Sequence, residues 1–203
     1  MVVKTEAIVL NLQRYSDRSH ILYTYTRAQG RLNFLVYGVG SKKKSGAFYA
    51  PLTLLEITAD IRPDRPISTI KEVRLLQQPN HFNVEIEHSE LVRSSVKMFL
   101  AEFLYRTLKH PMPDDALFDF LYNSLRMFDN SAAIGNFHVD FLVGFAARLG
   151  FAIDEAEHPE LLRIPASRAD RQLLLRQLCD YFAANIEDFH TPVSLDVLME
   201  VFD

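Results

Sequence analysis

The stretch HILYTYT, at residues 20–26, is dense in the β-branched and aromatic side chains that favour β-strands. Successive side chains of a strand point to opposite sides, so the odd-numbered residues of this stretch share one face. A short break, AQG at residues 28–30, follows it, and Gly30 can adopt the positive φ angle of a tight turn. Residues 31–39 then resume the alternation. The two stretches together predict a β-hairpin.

Similar patterns flank this hairpin. A first strand is predicted over residues 8–12, where the even-numbered residues share one face, and two more over residues 52–59 and 68–76. The turn sequence RPDRP, at residues 62–66, separates the last two strands. Five short strands without a helix long enough for a crossover predict a small antiparallel barrel or sandwich.

From about residue 84 the hydrophobic period becomes helical, because apolar residues recur at steps of three and four. A long helix is predicted to end before Pro111. Asp114 is the expected N-cap of a second helix and Ser131 of a third. Gly150 is well placed to end the third helix.

A fourth helix is predicted over residues 169–187, and Thr191-Pro192 opens a short fifth one. Five helices with short connections predict a compact bundle. The change of period at residues 77–83 predicts two domains, 1–80 with the strands and 81–203 with the helices. The fold class is therefore α+β, a five-stranded barrel followed by an all-α domain.

The charge of the chain divides at the same place. Residues 1–80 hold 12 basic and 6 acidic side chains, a net charge of +6, whereas the remainder holds 10 basic and 20 acidic ones, a net charge of −10. The positive half is centred on the loop GVGSKKKSG at residues 38–46. A basic patch indicates a partner rich in phosphate, above all nucleic acid. The candidate DNA contacts are Arg14, Arg18, Arg27, Arg31, Lys42, Lys43 and Lys44.

The lysine loop on its own leaves an alternative open, namely a flexible connection kept in solution by its charge. It fits neither the spacing of a phosphate-binding P-loop nor a dinucleotide-binding fingerprint. Four aromatic residues of the strands could stack on exposed bases: Tyr23, Tyr25, Phe34 and Tyr37. About half of them must face the core of so small a barrel, and the pattern does not say which half.

Residues suited to catalysis or metal binding form no motif. The single cysteine, Cys179, excludes an internal disulfide and a multi-cysteine zinc site, and it is interpreted as a small core residue. The seven histidines are scattered, and His138 fits a structural role on the apolar face of the third helix. We therefore expect no cofactor, no metal and no enzymatic activity.

No apolar run approaches the roughly 18 residues that cross a bilayer. The N-terminus lacks the apolar core and the cleavage site of a signal peptide. The expected location is the cytoplasm, without a membrane partner.

Several stretches together resemble the RecO family of bacterial recombination mediators and DNA repair proteins. They are KTEAIVL (4–10), RYSDRSHIL (14–22), TRAQGRL (26–32), the Tyr37-Gly38 pair with the basic loop up to Ser45, PLTLLE (51–56) and SLDVLMEVF (194–202). They span nearly the whole chain in order, although each is a weak motif by itself.

The resemblance implies an OB-fold followed by a helical domain without a catalytic site. It also implies binding of single- and double-stranded DNA and annealing of complementary strands without ATP. The implied partners are RecR, single-strand-binding protein and, indirectly, RecA, whose loading onto coated DNA such proteins assist. In the family, the acidic tail of single-strand-binding protein docks on the helical domain. The cations available for it here are Arg93, Lys97, Arg106, Lys109, Arg126 and Arg148.

One departure from the family concerns zinc. Many members carry a four-cysteine motif after the third long helix, but residues 151–168 of this chain contain no cysteine. Zinc is therefore not carried over. Two other classes of function stay open. One is a protein-interaction scaffold whose basic barrel docks acidic protein surfaces, and the other is a hydrolase or transferase with a dispersed active site.

Overall fold

The structure is a computed structural model that describes residues 1–39, 46–61, 65–76, 87–131 and 134–201. The chain divides into two compact units. The first comprises Met1–Pro79 and Leu108–Phe118, and the second comprises Asn80–Thr107 and Asp119–Asp203. The short segment Leu108–Phe118 thus belongs to the N-terminal unit, which the change of period near residue 80 does not predict.

Five strands of the first unit form a closed barrel. They are β1 (Val2–Arg14), β2 (Ser19–Thr26), β3 (Gly30–Tyr37), β4 (Leu54–Asp60) and β5 (Ser68–Leu75), with a 3₁₀ turn at Gly46–Tyr49. Around the barrel they lie in the order β1-β2-β3-β5-β4, and β4 pairs again with β1. The β3–β5 pairing is parallel and the others are antiparallel. This is the five-stranded Greek-key barrel of the OB-fold, so the predicted fold is confirmed.

The predicted hairpin of β2 and β3 is present, and its register shows which residues face the barrel core. Gly30 has a φ of +66° at the turn, as expected for glycine. Leu22 lies opposite Phe34 across the two strands, and both are fully buried in the barrel core with Val36. The odd-numbered residues of β2 therefore lie on the outer face of the sheet.

The expectation that the even-numbered residues of 8–12 share one face is wrong at Leu12. Ala7 and Val9 lie in the barrel core and Leu12 packs against it, whereas Ile8 and Leu10 are buried outside that cluster. The pairing of β1 with β2 shifts between Val9 and Asn11, which is a β-bulge. One extra residue in a strand reverses the alternation, so Leu12 replaces Asn11 on the inner face.

Five helices are present in the described part of the chain: α1 (Glu87–Thr107), α2 (Asp115–Asn130), α3 (Phe137–Arg148), α4 (Arg168–Asn185) and α5 (Ser194–Val201). Asp114 caps α2 as predicted, because its carboxylate accepts a hydrogen bond from the N–H of Leu117 at 2.9 Å. Gly150 ends α3 with a φ of +91°. Its own N–H and that of Phe151 bond to carbonyls of the last turn, as in a Schellman motif.

The predicted cap of α3 is wrong. Ser131 belongs to the end of α2, where its N–H bonds to the carbonyl of Phe128. The third helix begins only at Phe137, because Gly135, with a φ of +48°, interrupts the helical backbone just before it. The predicted boundary is therefore several residues too early.

An aromatic cluster forms the core of the second unit. The ring centroid of Phe103 lies 4.8 Å from that of Phe182 and 5.0 Å from that of Phe189. His138 is fully buried in α3, and burial, together with the charge of Arg171, lowers its pKa to about 3. Burial also raises the pKa of Cys179 to about 12, so the thiol is an inert core residue as predicted. Among the described residues, every helix is too short or too polar to span a bilayer.

Candidate nucleic-acid interface

The turn between β1 and β2 joins two strands at one end of the barrel. The N–H groups of Tyr15 and Ser16 both donate to the carbonyl of Ser19, and the hydroxyls of Ser16 and Ser19 lie 2.6 Å apart. The N–H of Gly38, just after β3, donates to the carbonyl of Arg18. The turn is therefore held to the end of β3. In OB-folds this turn and the β2–β3 face bind oligonucleotides or oligosaccharides.

Two of the predicted contacts lie at this turn: Arg14 is the last residue of β1, Arg18 is in the turn itself, and both are exposed. Arg14 pairs with Asp17 at 2.8 Å, but the two side chains are 69% and 95% exposed. Exposed pairs of this kind add at most about 1 kcal/mol, so a phosphate can replace the carboxylate at little cost. Arg14 and Arg18 are thus accessible cations at the end of the barrel where this turn lies.

Arg27 lies in a different environment. Its guanidinium donates to the Glu6 carboxylate at 2.8 Å and lies 3.7 Å from that of Asp115. The same group lies over the Phe118 ring, 4.5 Å from the centroid. Only a third of the side chain is exposed. Arg27 therefore joins strand β2 to residues 108–118 of its own unit.

Arg31 is held in a similar way. Its guanidinium donates to the carbonyl of Leu108 at 3.2 Å and to the side chain of Asn33 at 3.3 Å. It also lies over the ring of Tyr23, 5.0 Å from the centroid. The structure thus brings Arg14 and Arg18 together in one turn and commits Arg27 and Arg31 to contacts within the barrel unit. Lys42, Lys43 and Lys44 lie outside the described residues.

The four aromatic candidates for base stacking differ in how exposed they are. Phe34 and Tyr25 are buried, and Tyr23 donates its hydroxyl to Gln13 at 3.0 Å. Tyr37, at the end of β3, is 57% exposed. Tyr15 is 64% exposed and is not among the predicted candidates, although its place in a polar turn is a signal for exposure.

A cleft of about 380 Å³ opens beside the turn. It is lined by Asp17, Arg18, His20, Tyr37, Gly38 and Val39. It therefore combines an exposed cation with an exposed aromatic ring. A larger cleft of about 600 Å³ on the barrel unit is lined by groups that are paired with each other, among them Lys4 with Glu56 at 3.0 Å and Arg27 with Glu6.

Most of the candidate cations of the second unit interact with other groups of that unit. Arg93 donates to the carbonyls of Phe128 and Ser131, and Lys97 lies 2.6 Å from Asp129. Arg126 and Arg148 are exposed and lie over the rings of Tyr122 and Phe120, each at 5.7 Å. Lys109 belongs to the barrel unit.

Arg106 and its partner Glu102 fix the start of α5. The Glu102 carboxylate accepts hydrogen bonds from the N–H groups of Val193 and Ser194 and from the Ser194 hydroxyl, at 2.5–3.1 Å. Burial alone would raise the pKa of Glu102, but these bonds and the one from Arg106 lower it. Glu102 and Arg106 therefore form a structural pair at the N-terminus of α5.

Residues 151–168, which follow α3, do not fit a zinc site. They contain no cysteine, and the described part of the chain holds no cluster of three or more metal-ligating side chains. Ordinary contacts hold this segment instead. The Tyr181 hydroxyl donates to the carbonyl of Phe151 at 3.2 Å, and Arg163 forms an ion pair with Asp170 at the start of α4.

The closed five-stranded barrel defines an OB-fold protein, a class whose members bind oligonucleotides or oligosaccharides. Comparison with known proteins identifies the family within this class to which the chain belongs. Two family models match, "Recombination protein O N terminal" over residues 1–79 and "Recombination protein O C terminal" over residues 88–159. The chain belongs to the RecO family of DNA repair proteins.

Relatives cover the whole chain. The chain is 30% identical to DNA repair protein RecO of Phocaeicola vulgatus, 29% to that of Bacteroides fragilis and 28% to that of Flavobacterium psychrophilum. Each alignment covers all of both proteins. The alignments run over 242 to 247 positions, whereas this chain has 203 residues, so these relatives contain segments that it lacks.

Proposed function

We propose that the protein binds single- and double-stranded DNA at the barrel end formed by the β1–β2 turn and the end of β3. The observation that carries the proposal is the exposure of Arg14 and Arg18 in that turn. The half of the chain to which they belong has a net charge of +6, which supports a polyanionic ligand. Lys42, Lys43 and Lys44 follow the end of β3 after four intervening residues, and we assign them to the same phosphate-binding surface.

The bound DNA is then annealed without ATP. Two complementary strands repel each other through their phosphates, and cations that neutralise this charge allow them to approach and pair. Such a process requires no general acid or base and no cofactor. We therefore assign the protein a mediator role in recombination and repair, with no covalent step.

The partners implied by the family fit the second unit. Residues 81–203, most of which form this unit, carry a net charge of −10, which disfavours DNA and leaves a surface for protein partners. We propose that it works with a RecR-like protein and with single-strand-binding protein to assist the loading of RecA. Arg126 and Arg148 are exposed, and we propose that their guanidinium groups bind the carboxylates of the acidic tail.

A fluorescence-anisotropy titration tests the DNA-binding proposal. A labelled single-stranded oligonucleotide is titrated at two salt concentrations with the wild type and two double variants. Arg14→Gln with Arg18→Gln should weaken binding and lower the salt slope by roughly 0.7 for each phosphate that is no longer neutralised. Lys71→Gln with Arg74→Gln removes the same charge from exposed positions of β5 and is the matched control. Equal effects of the two double variants would reject the turn as the binding site.

The lysines are tested in the same way with a Lys42/Lys43/Lys44→Ala variant. The DNA-binding proposal fails if the wild type does not bind the oligonucleotide. It also fails if the affinity changes neither with salt nor in this variant. Either result would favour the scaffold alternative, in which the barrel docks an acidic protein surface. Annealing is measured with complementary strands coated in the cognate single-strand-binding protein, and the Arg14/Arg18 double variant should anneal them more slowly.

A further inference from the structure

We infer that Tyr37 is a stacking platform for an unpaired base, so that the barrel end distinguishes single-stranded from duplex DNA. The inference rests on the proposed function and deepens it. In this arrangement Arg14 and Arg18 bind the phosphates, and the Tyr37 ring at the end of β3 contacts a base.

The position of Tyr37 is well defined. It pairs with Ser19 across the β2–β3 ladder, and the N–H of the next residue, Gly38, donates to the carbonyl of Arg18 at 3.4 Å. The backbone below the ring is thus fixed, while 57% of the side chain is exposed. A rigid aromatic with an open face is what a stacking contact requires.

Its surroundings match a nucleotide rather than an apolar ligand. Tyr37 and Arg18 line the same cleft of about 380 Å³, so a phosphate and its base can be bound side by side. Among the described residues that line the cleft, the acidic one is Asp17, which is paired with Arg14 at 2.8 Å. Arg14, Asp17 and Arg18 together carry a net charge of +1, so they still attract a phosphate when it replaces the carboxylate on Arg14.

The other aromatic residues of the barrel are less suitable. Phe34 is fully buried in the core and Tyr25 is covered by Phe118. One face of the Tyr23 ring is occupied by the Arg31 guanidinium. Tyr15 is exposed but lies outside the residues that line the cleft. Tyr37 is therefore the ring that the geometry favours.

The consequence is a difference between substrates. In a duplex the bases are stacked on one another and cannot reach the ring, whereas the bases of a single strand can. A base–aromatic contact adds to affinity without sequence preference, because every base has a π-face. Duplex binding should then depend on the phosphate contacts alone.

The test compares three ligands of equal length: oligothymidylate, a strand whose sugars carry no bases, and a duplex. Tyr37→Ala should bind oligothymidylate about tenfold more weakly than the wild type. It should bind the abasic strand and the duplex with unchanged affinity. Tyr37→Phe retains the ring and should restore oligothymidylate binding, which a loss of fold would not allow. Far-UV circular dichroism and thermal unfolding check that both variants are folded.

The salt slope separates this inference from the proposed function. Tyr37→Ala should leave the slope for oligothymidylate unchanged, since the cations that neutralise the phosphates are all retained. If the wild type binds DNA with a salt slope but Tyr37→Ala matches it on all three ligands, the stacking assignment is wrong and the DNA-binding proposal stands. Weaker binding by Tyr15→Ala and not by Tyr37→Ala would overturn the assignment as well. If the wild type binds none of the three, the proposed function itself fails.

Discussion

The guanidinium carbon of Arg27 lies 4.5 Å from the centroid of the Phe118 ring. Phe118 is fully buried, and its ring stacks on that of Tyr25 with 6.3 Å between the centroids. Residues 108–118 thus cover the outer face of β2 within the barrel unit. A residue that charge alone marks as a DNA contact is here part of the packing of this segment.

Phe118→Ala should destabilise the barrel unit. Removing a buried phenylalanine ring deletes its contacts with Tyr25 and Arg27 and leaves a cavity, which costs about 3–5 kcal/mol. Chemical denaturation measures the free energy of unfolding. Met112→Ala, at an exposed position of the same segment, is the control and should change that free energy by less than about 0.5 kcal/mol. Similar decreases in both variants would show that the segment does not depend on the Phe118 contact.

Gly30→Ala should destabilise the protein more than Gly150→Ala does. Both glycines have positive φ angles, so both substitutions strain the backbone by about 1–2 kcal/mol. A Cβ at Gly30 would also overlap the backbone of Met112, whereas none of the described residues lies within 4 Å of one at Gly150. The free energies of unfolding of the two variants give the comparison. Equal decreases would mean that the overlap at Gly30 relaxes without cost.

Glu102→Gln should weaken the attachment of α5 to α1. Hydrogen bonds to a charged group contribute about 1.5–3 kcal/mol, and the variant lacks that charge. The pKa of Glu102 is lowered from 4.5 in the folded protein, so its contribution is fully present above pH 4.5 and is lost as the pH falls below that value. The difference in unfolding free energy between wild type and variant should therefore shrink in acid. A difference that is constant with pH would contradict an ionised Glu102.

His138 should make the protein sensitive to mild acid. Its pKa falls from 6.5 to about 3 on folding, so the unfolded chain binds a proton that the folded chain does not. Stability should then decline as the pH falls from 6.5 towards 3, by up to about 1.4 kcal/mol per pH unit. His138→Asn does not titrate and should show a flatter profile of unfolding free energy over this range. Parallel profiles would place the acid sensitivity elsewhere.

The sequence predicts local structure well where one physical signal decides it. The alternation in residues 20–26 and 31–37 defines a hairpin that the structure contains, and Asp114 and Gly150 act at the helix ends as their chemistry suggests. The bulge in β1 escapes such reasoning, because one extra residue changes the inward set without changing the composition of the strand. The start of α3 is missed for a similar reason. The positive φ of Gly135 interrupts the helical backbone after Ser131, and the cap chemistry of Ser131 does not indicate this.

The candidate site shows the limit of charge counting. Arg14, Arg18, Arg27 and Arg31 have the same chemistry and similar positions near strand ends, and all four contribute to the basic character of residues 1–80. What separates them is residues 108–118, more than 70 positions later in the chain, which contact Arg27 and Arg31. Such a long-range contact leaves no local pattern around either arginine. The exposure of Tyr15, in contrast, follows from its place in a polar turn.

The closure of the barrel restricts how another protein can bind this unit. Each described strand has a neighbour on both sides, since β3 pairs with β5 and β4 pairs with β1. The β3–β5 contact comprises only the pairs Phe34–Ser68 and Leu35–Thr69, whereas the four antiparallel pairings run along most of their strands. Little strand edge therefore remains for an incoming segment to extend the sheet. We expect partner proteins to recognise mainly side chains on loops, on the outer surface or on helices, so that their specificity depends on shape and charge more than on main-chain pairing.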